Sequence, residues 1–300
     1  MNHFSVCKNT LNKLFPVLLG CISSRMMVSK AKIKQVRLLE MKKYRDESKL
    51  FVAEGNKLVV DLIPFFTCEW LIANPSWLET QPNLTTQPNL TGFQTYTTRP
   101  TLTGFQTLLG FNVNELIIAE KDDIQKISLL KNPQDVLAVF RQPSCQIEEV
   151  NPVENLVLAL DGLQDPGNLG TIVRLADWFG IEHIVCNPDT ADIFGPKSVQ
   201  ASMGALARVK VHYTNLEVFL SNRNVPIYGA FLEGNSIYDE QLSSHGIIII
   251  GNEGNGIRPS IEPLVNKRLF IPNYPSTRQS SESLNAAIAA AIICAEFRRR

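Results

Sequence analysis

The chain has 300 residues, with 29 basic and 29 acidic side chains, so its formal net charge is zero. Hydrophobic residues make up 44% and charged residues 19%, values ordinary for a globular protein, and they exclude intrinsic disorder as the main state. No apolar run is long enough for a membrane-spanning helix, and the overall basic charge typical of nucleic-acid binding is absent. Any RNA or DNA partner must therefore be bound by a local basic segment.

Cysteine and histidine usage points away from metal and disulfide chemistry. Six cysteines and four histidines are spread along the chain without the close spacing of a metal or disulfide motif. We therefore expect reduced thiols, a cytoplasmic location and no bound metal.

The N-terminal region has two unlike parts. Residues 1–25 contain a short apolar run that weakly imitates a signal peptide, but Met26 and Met27 open a more ordinary N-terminus. We favour an unstructured extension or a mis-assigned start codon. Residues 25–49 then hold nine basic and three acidic side chains, a local charge of +6. Their spacing predicts a helix with a basic outer face, which either is only solvated or contacts RNA phosphates.

Alternating apolar and polar stretches predict a first α/β unit over residues 26–141. A Thr-, Gln- and Asn-rich insert at about 79–108, built from tandem duplications, is predicted to be a low-complexity surface loop without chemistry. Residues 142–154 have the composition of a linker, so a second domain is expected at 155–300.

The second domain contains six apolar stretches separated by helical ones, which predicts an α/β fold with a mostly parallel sheet. The expected strands lie at 156–160, 183–185, 209–211, 227–231, 247–250 and 269–271. Three distinctive loops follow strands of this set, at the sheet edge where α/β proteins bind ligands.

The first loop, residues 161–170, leads into a helix that ends near Gly180. Asn168 and Arg174 on this helix can face one cleft. Alternatively, Asn168 only caps the helix and Arg174 pairs with Asp177 on the surface. The pattern alone favours the second interpretation.

The second loop places Gly251, Gly254 and Gly256 around Glu253, directly after a buried strand. Close backbone approach to a ligand explains three glycines better than a tight turn does. The spacing G-x-x-G-x-G differs from the G-x-G-x-x-G of dinucleotide sites, which argues against a nicotinamide-dependent dehydrogenase.

The third loop begins at Ile271 and Pro272 and ends where Ser283, Leu284 and Asn285 open an alanine-rich helix. Capping explains the serines but not Asn285, which we place just inside the helix. The alanines would let another backbone approach closely. The packing face of the helix is predicted to contain Leu284, Ile288, Ile292 and Ala295.

In order and residue type, the three loops resemble the motifs of the SpoU (TrmH) family of RNA ribose 2′-O-methyltransferases, within the SPOUT, or α/β-knot, superfamily. The similarity covers residues 155–297 strongly and the first α/β unit more weakly, and the loop between Pro272 and Ser283 is a few residues longer than the usual form. The motif N-x-G-x-x-x-R is matched by Asn168, Gly170 and Arg174, G-x-E-G-x-G by Gly251, Glu253, Gly254 and Gly256, and the I-P and S-L-N pair by Ile271, Pro272, Ser283, Leu284 and Asn285.

The resemblance implies a mostly parallel α/β domain with a C-terminal trefoil knot, preceded by a small α/β RNA-binding domain. It also implies a homodimer and S-adenosylmethionine as the cofactor. Ribosomal RNA is favoured over transfer RNA as substrate, by analogy with enzymes that carry an appended binding domain. The cofactor contacts implied are Gly251, Gly254, Gly256, Ile271 and Leu284.

The same resemblance assigns the catalytic group to Arg174, with Asn168 and Ser283 positioning the ribose or Arg174, and with Glu253 orienting Arg174 or Asn285. Because arginine side chains keep their proton, Arg174 is expected to bind the target phosphate and stabilise a developing alkoxide, although a role as base stays open. A non-catalytic RNA-binding protein is the remaining alternative, suggested by the basic segment at 25–49.

Overall fold

The computed structural model describes residues 28–80, 113–221, 223–275 and 283–299. The expected extension at 1–25, the low-complexity loop beyond Thr80 and most of the loop between Pro272 and Ser283 lie outside these ranges. Within them the chain forms two sheets, one of four strands and one of seven.

The first sheet belongs to the predicted N-terminal α/β unit and is mixed, with strand order β1-β4-β2-β3. Strand β4 is antiparallel to both β1 and β2, whereas β2 and β3 are parallel. The elements of this unit are α1 (Lys30–Leu38), α2 (Lys42–Ser48), β1 (Leu50–Glu54), α3 (Asn56–Leu62), β2 (Cys68–Ala73), α4 (Pro75–Glu79), β3 (Val113–Ile118), α5 (Lys121–Ile127) and β4 (Val136–Arg141).

The basic segment differs from its prediction in two respects. It forms two short helices instead of one, and the second ends where Lys49 adopts a left-handed conformation with φ of 56°. Its basic residues are also not all on an outer face, because Arg45 is buried, with only 4% of its surface exposed.

The second sheet contains all six predicted strands, and every strand pair in it is parallel. The strand order is β7-β6-β5-β10-β8-β11-β9. Its elements are β5 (Leu156–Leu160), α6 (Pro166–Trp178), β6 (His183–Cys186), α7 (Pro196–Ser202), β7 (Lys210–Tyr213), α8 (Leu216–Leu220), β8 (Ile227–Phe231), β9 (Asn235–Ser236), β10 (Gly246–Ile250), β11 (Lys267–Phe270) and α9 (Ala286–Arg299). The two-residue strand β9 was missed because it is too short to show a period.

The central strands are buried on both faces, as continuous apolar runs require. Ile247, Ile248 and Ile249 in β10 have no exposed surface. Strand β10 lies between β5 and β8, so that the loops after β5 and β10 leave the sheet side by side. Strand order describes pairing and not threading, so the C-terminal knot stays a prediction.

The two sheets share one apolar core. Strand β1 packs against helix α7, and the rings of Phe51 and Phe194 lie 5.1 Å apart between their centroids. The N-terminal unit therefore has a defined place against the second sheet.

Helix α9 packs on α6, but through a different face from the one predicted. Its inward face consists of Ala286, Ala287, Ala290, Ile293, Cys294, Glu296 and Phe297. Leu284 and Ile288 are instead 47% and 53% exposed, and Ala295 is exposed as well. The prediction of the packing face was wrong because Ala286, Ala287 and Ala290 turn inward together with Ile293 and Phe297, and the small alanines let the two helices approach closely.

Candidate active site

The first loop enters helix α6 through an aspartate cap. Asp165 is the N-cap residue, and its carboxylate accepts a hydrogen bond of 2.8 Å from the backbone N–H of Asn168. Lys197 lies 2.7 Å from the other carboxylate oxygen, and its hydrogen bond lowers the pKa of Asp165. Because Asp165 does the capping, the side chain of Asn168 is available for other contacts.

Asn168 joins the three loops. Its amide Nδ2 donates to Glu253 Oε1 of the second loop at 3.1 Å. Its Oδ1 accepts from Asn285 Nδ2, at the start of α9, also at 3.1 Å. The backbone N–H of Gln164 donates to the second oxygen of Glu253 at 3.3 Å. Three segments far apart in sequence thus meet in one chain of hydrogen bonds, with Asn168 at its centre.

Asn285 caps helix α9. Its Oδ1 accepts from the backbone N–H groups of Ala287 and Ile288 at 3.0 and 3.3 Å. The expectation that Asn285 lies inside the helix was therefore wrong by one residue. The same side chain has two tasks, since its oxygen caps α9 and its Nδ2 holds Asn168.

The second loop is closed on itself. Asn252 and Gly256 exchange backbone hydrogen bonds of 2.9 and 3.0 Å, and Gly256 has a φ of +66°. A Cβ atom on Gly251 would lie 2.3 Å from the carbonyl carbon of Gly256, so only glycine fits there. Gly254 is different, because its φ is ordinary and the nearest atom to an added Cβ is 3.6 Å away.

A buried carboxylate lies beneath these loops. Asp161 is 1% exposed and follows β5 directly. It accepts from Asn187 Nδ2 at 2.8 Å and pairs with Arg258 Nε at 2.5 Å. Arg258 also contacts the carboxylate of Asp189 at 2.9 Å. Sequence reasoning missed these residues, although a polar residue at the carboxyl end of a buried strand is a usable signal.

Arg174 lies on the exposed side of α6, six residues beyond Asn168, or about 9 Å along the helix axis. Among the described residues it has no hydrogen-bond or ion-pair partner. Asp177, the partner considered for it, is bonded instead to Arg208 by two hydrogen bonds of 2.8 and 2.6 Å. The alternative that Asn168 only caps the helix and Arg174 pairs with Asp177 is therefore wrong for both residues.

The remaining predicted residues belong to the same three loops. Ser283 and Leu284 are exposed immediately before Asn285, and Ile271 is half-buried at the end of β11, where it packs on the core. Gly170 has another task, because an added Cβ would lie 2.4 Å from the carbonyl oxygen of Ser198 in α7. The motif glycine on α6 thus permits close helix packing.

A separate cleft of about 540 Å³ lies between the linker and strand β7 and shares no residue with this site. Within the ranges that the structure describes, no three potential metal-ligating side chains cluster, and no helix is long and apolar enough to span a membrane.

Comparison with known proteins finds this fold, and a sequence match that includes the three loops, in RNA methyltransferases. The model of the SpoU rRNA methylase family matches residues 155–295, and that of the MRM3-like substrate-binding domain matches residues 30–138. The 23S rRNA (guanosine(2553)-2′-O)-methyltransferase RlmP of Bacillus subtilis is 30% identical over 277 residues, which are 89% of this chain and 96% of that protein.

Solved structures agree with these matches. A Porphyromonas gingivalis protein assigned to the TrmH family of RNA methyltransferases is 39% identical, with a TM-score of 0.73 over 91% of this chain and 99% of that one. The AdoMet-bound rRNA methyltransferase of Sinorhizobium meliloti is 26% identical, with a TM-score of 0.73 over 91% of this chain and 95% of that one. This chain belongs to the SpoU methylase family. The dehydrogenase alternative is therefore wrong.

Proposed function

We propose that this protein transfers a methyl group from S-adenosylmethionine to a ribose 2′-hydroxyl of ribosomal RNA. The observation that carries the proposal is the hydrogen-bond chain Glu253–Asn168–Asn285, which gathers the three motif loops at the carboxyl edge of the parallel sheet. The names of the Bacillus subtilis and Sinorhizobium meliloti relatives supply the substrate class and the cofactor.

The loops fit the cofactor chemically. Gly254 is not required by the chain's own geometry, and the space beside it is where a bound molecule could touch main-chain atoms. Ile271 and the exposed Leu284 supply apolar surface on the neighbouring loop. We assign cofactor binding to the second loop (Gly251, Gly254, Gly256) together with Ile271 and Leu284. When bound, S-adenosylmethionine supplies an electrophilic methyl group.

The chain's own residues must then bind and align the ribose. Asn168 is held from both sides, by Glu253 and by Asn285, so its side chain has one orientation. Arg174 is exposed on the same helix, and its guanidinium can bind the target phosphate and stabilise the negative charge that develops on the 2′-oxygen, while that phosphate or water takes the hydroxyl proton. Ser283 is placed beside Asn285 to contact the same nucleotide. Glu253 acts through Asn168 and not directly on the substrate.

Two further expectations become proposals at this point. The face of α9 with Ile288 is left exposed by a single chain, and we propose that a second copy covers it in a homodimer. We also propose that residues 26–141 form the RNA-binding domain, joined by a linker at 142–154 to a knotted methyltransferase domain at 155–300. The extension at 1–25 and the cytoplasmic location stay predictions.

The test of function is single-turnover methyl transfer to ribosomal RNA by the purified full-length chain. Arg174→Ala should lower the rate by about 100-fold or more, the usual effect of removing a group that stabilises developing negative charge. Arg208→Ala is the matched control. Arg208 is another exposed arginine, and it is bonded to Asp177, which lies on α6 as Arg174 does. An Arg174→Ala protein with a near-wild-type rate would end the assignment.

A further inference from the structure

The loop between β6 and α7, residues 187–195, is bonded to the first active-site loop. Asn187 Nδ2 donates to the buried carboxylate of Asp161 at 2.8 Å. The backbone N–H of Ala191 donates to the carbonyl of Leu163, also at 2.8 Å. Asp189 pairs with Arg258, which in turn pairs with Asp161. Any displacement of this connecting loop therefore displaces the loop that leads to Asn168.

The other end of the connecting loop is held by the N-terminal unit. Arg45 of α2 places its Nε and Nη2 at 2.9 and 2.7 Å from Asp192 Oδ2. Its Nη1 donates to the carbonyl oxygens of Leu39 and Glu40, each at 2.7 Å. The guanidinium thus joins the turn between α1 and α2 to Asp192, and it is 4% exposed.

Asp192 is equally well fixed within its own loop. Its Oδ1 accepts from the backbone N–H of Phe194 at 3.0 Å, and its carbonyl oxygen accepts from Ser198 Oγ at 2.8 Å. A planar guanidinium held by both of its neighbours permits a single geometry, which a lysine could not reproduce.

We propose that Arg45 and Asp192 are positioning residues for methyl transfer. They set the place of the basic N-terminal segment relative to the loop that carries Asn168, through residues 187–195. The inference rests on the proposed function, because the group they align is the RNA bound across both units. A misplacement of about 1 Å at a reacting centre can cost on the order of 100-fold in rate, so a contact distant from the chemistry can matter to it.

A merely stabilising ion pair makes a different prediction. Loss of such a pair would lower the melting temperature and the fraction of folded enzyme, but each folded molecule would keep its rate. Loss of a positioning pair lowers the rate of each molecule that is still able to bind cofactor and RNA.

The test uses Arg45→Lys and Asp192→Asn in the full-length chain, with the maximal single-turnover rate at saturating ribosomal RNA as the readout. Rates are normalised to cofactor-binding sites counted by titration with S-adenosylmethionine. We expect each variant to lose at least tenfold in rate while its Kd for S-adenosylmethionine changes by less than twofold. The double variant should lose no more than the worse single variant, because both remove one interaction.

Glu149→Gln is the matched control. It removes the ion pair of Glu149 with Lys210, which also ties a segment outside the second sheet to that sheet. Unlike Arg45, neither of these two side chains is hydrogen-bonded to residues 187–195. It should keep the wild-type rate. Wild-type rates per binding site in Arg45→Lys and Asp192→Asn would overturn the inference, and if one variant does not fold the other decides. A wild-type chain that transfers no methyl group would instead overturn the proposed function, and this inference with it.

Discussion

Replacing Gly170 with alanine tests whether the glycine of the first motif is there for packing. Its added Cβ would lie 2.4 Å from the carbonyl oxygen of Ser198 and 2.6 Å from the Cβ of Ala201. Both atoms belong to α7, and the first is a main-chain atom, so the two helices must move apart. The variant should therefore lose stability.

The magnitude follows from two opposing effects. Alanine is favoured over glycine inside a helix by about 0.5–1 kcal/mol. Overpacking a well-filled interface costs about 1–3 kcal/mol, and contact with main-chain atoms favours the upper part of that range. The net expectation is a loss of about 1–2 kcal/mol in the free energy of unfolding.

Urea unfolding of Gly170→Ala beside Gly254→Ala gives the comparison. Gly254 has an ordinary φ and no atom within 3.4 Å of an added Cβ, so its substitution should change stability by less than about 0.5 kcal/mol. Gly254→Ala should instead weaken S-adenosylmethionine binding at least fivefold by calorimetry. A Gly170→Ala protein as stable as the wild type would refute the packing argument.

Two further predictions concern pH and assembly. Burial lowers the pKa of His212 to about 4 and lowers that of His183, whose ring nitrogen lies 3.0 Å away. Below about pH 6.5 the unfolded chain then binds more protons than the folded chain does. The free energy of unfolding should therefore fall by about 1–2 kcal/mol from pH 7 to 5. In urea titrations, His212→Gln should make this dependence on pH less steep. An equal pH dependence of the unfolding free energy in the wild type and in His212→Gln would contradict this prediction. Ile288→Glu should dissociate the proposed dimer into monomers, which sedimentation measures. The core amides of these monomers should keep the wild-type protection from hydrogen exchange. A wild-type chain that is already monomeric would contradict the proposed dimer.

Elements with a strong period were predictable from the sequence, and contacts between distant segments were not. The six parallel strands are continuous apolar runs, and the stripe of α6 includes Leu169 and Val173, both without exposed surface. Periodicity reports which residues share a face but not which face meets a neighbour. On α9 the period predicted a packing face with Leu284 and Ile288, whereas the buried face begins with Ala286, Ala287 and Ala290.

Polar contacts between distant segments could not be predicted either, because the sequence does not report which segments meet. Nothing near Arg45 in sequence indicates that its partner is Asp192, 147 positions further on. The cap of α6 was assigned to Asn168 as one alternative, although Asp165 stands three residues earlier with a proline after it, which is a better capping pattern. The motif resemblance led us to expect that the three loops meet, as Asn168, Glu253 and Asn285 do, because it carries spatial information that composition and periodicity lack.

Some motif residues are explained by contacts within the folded chain, and others are not. Gly170, Gly251 and Gly256 are accounted for by helix packing, backbone contact and a positive φ. Asn168, Glu253 and Asn285 satisfy one another.

Three motif residues have no such internal explanation within the described part of the chain: Arg174 is exposed without a partner, Gly254 has an ordinary φ and no atom closer than 3.6 Å to an added Cβ, and Leu284 is an apolar side chain at 47% exposure. A cation is what a phosphate would need, and an unobstructed backbone and an apolar surface are what a cofactor would need. Substituting these three should therefore impair binding or catalysis with little loss of stability, while substituting Gly170, which packs against α7, should do the reverse.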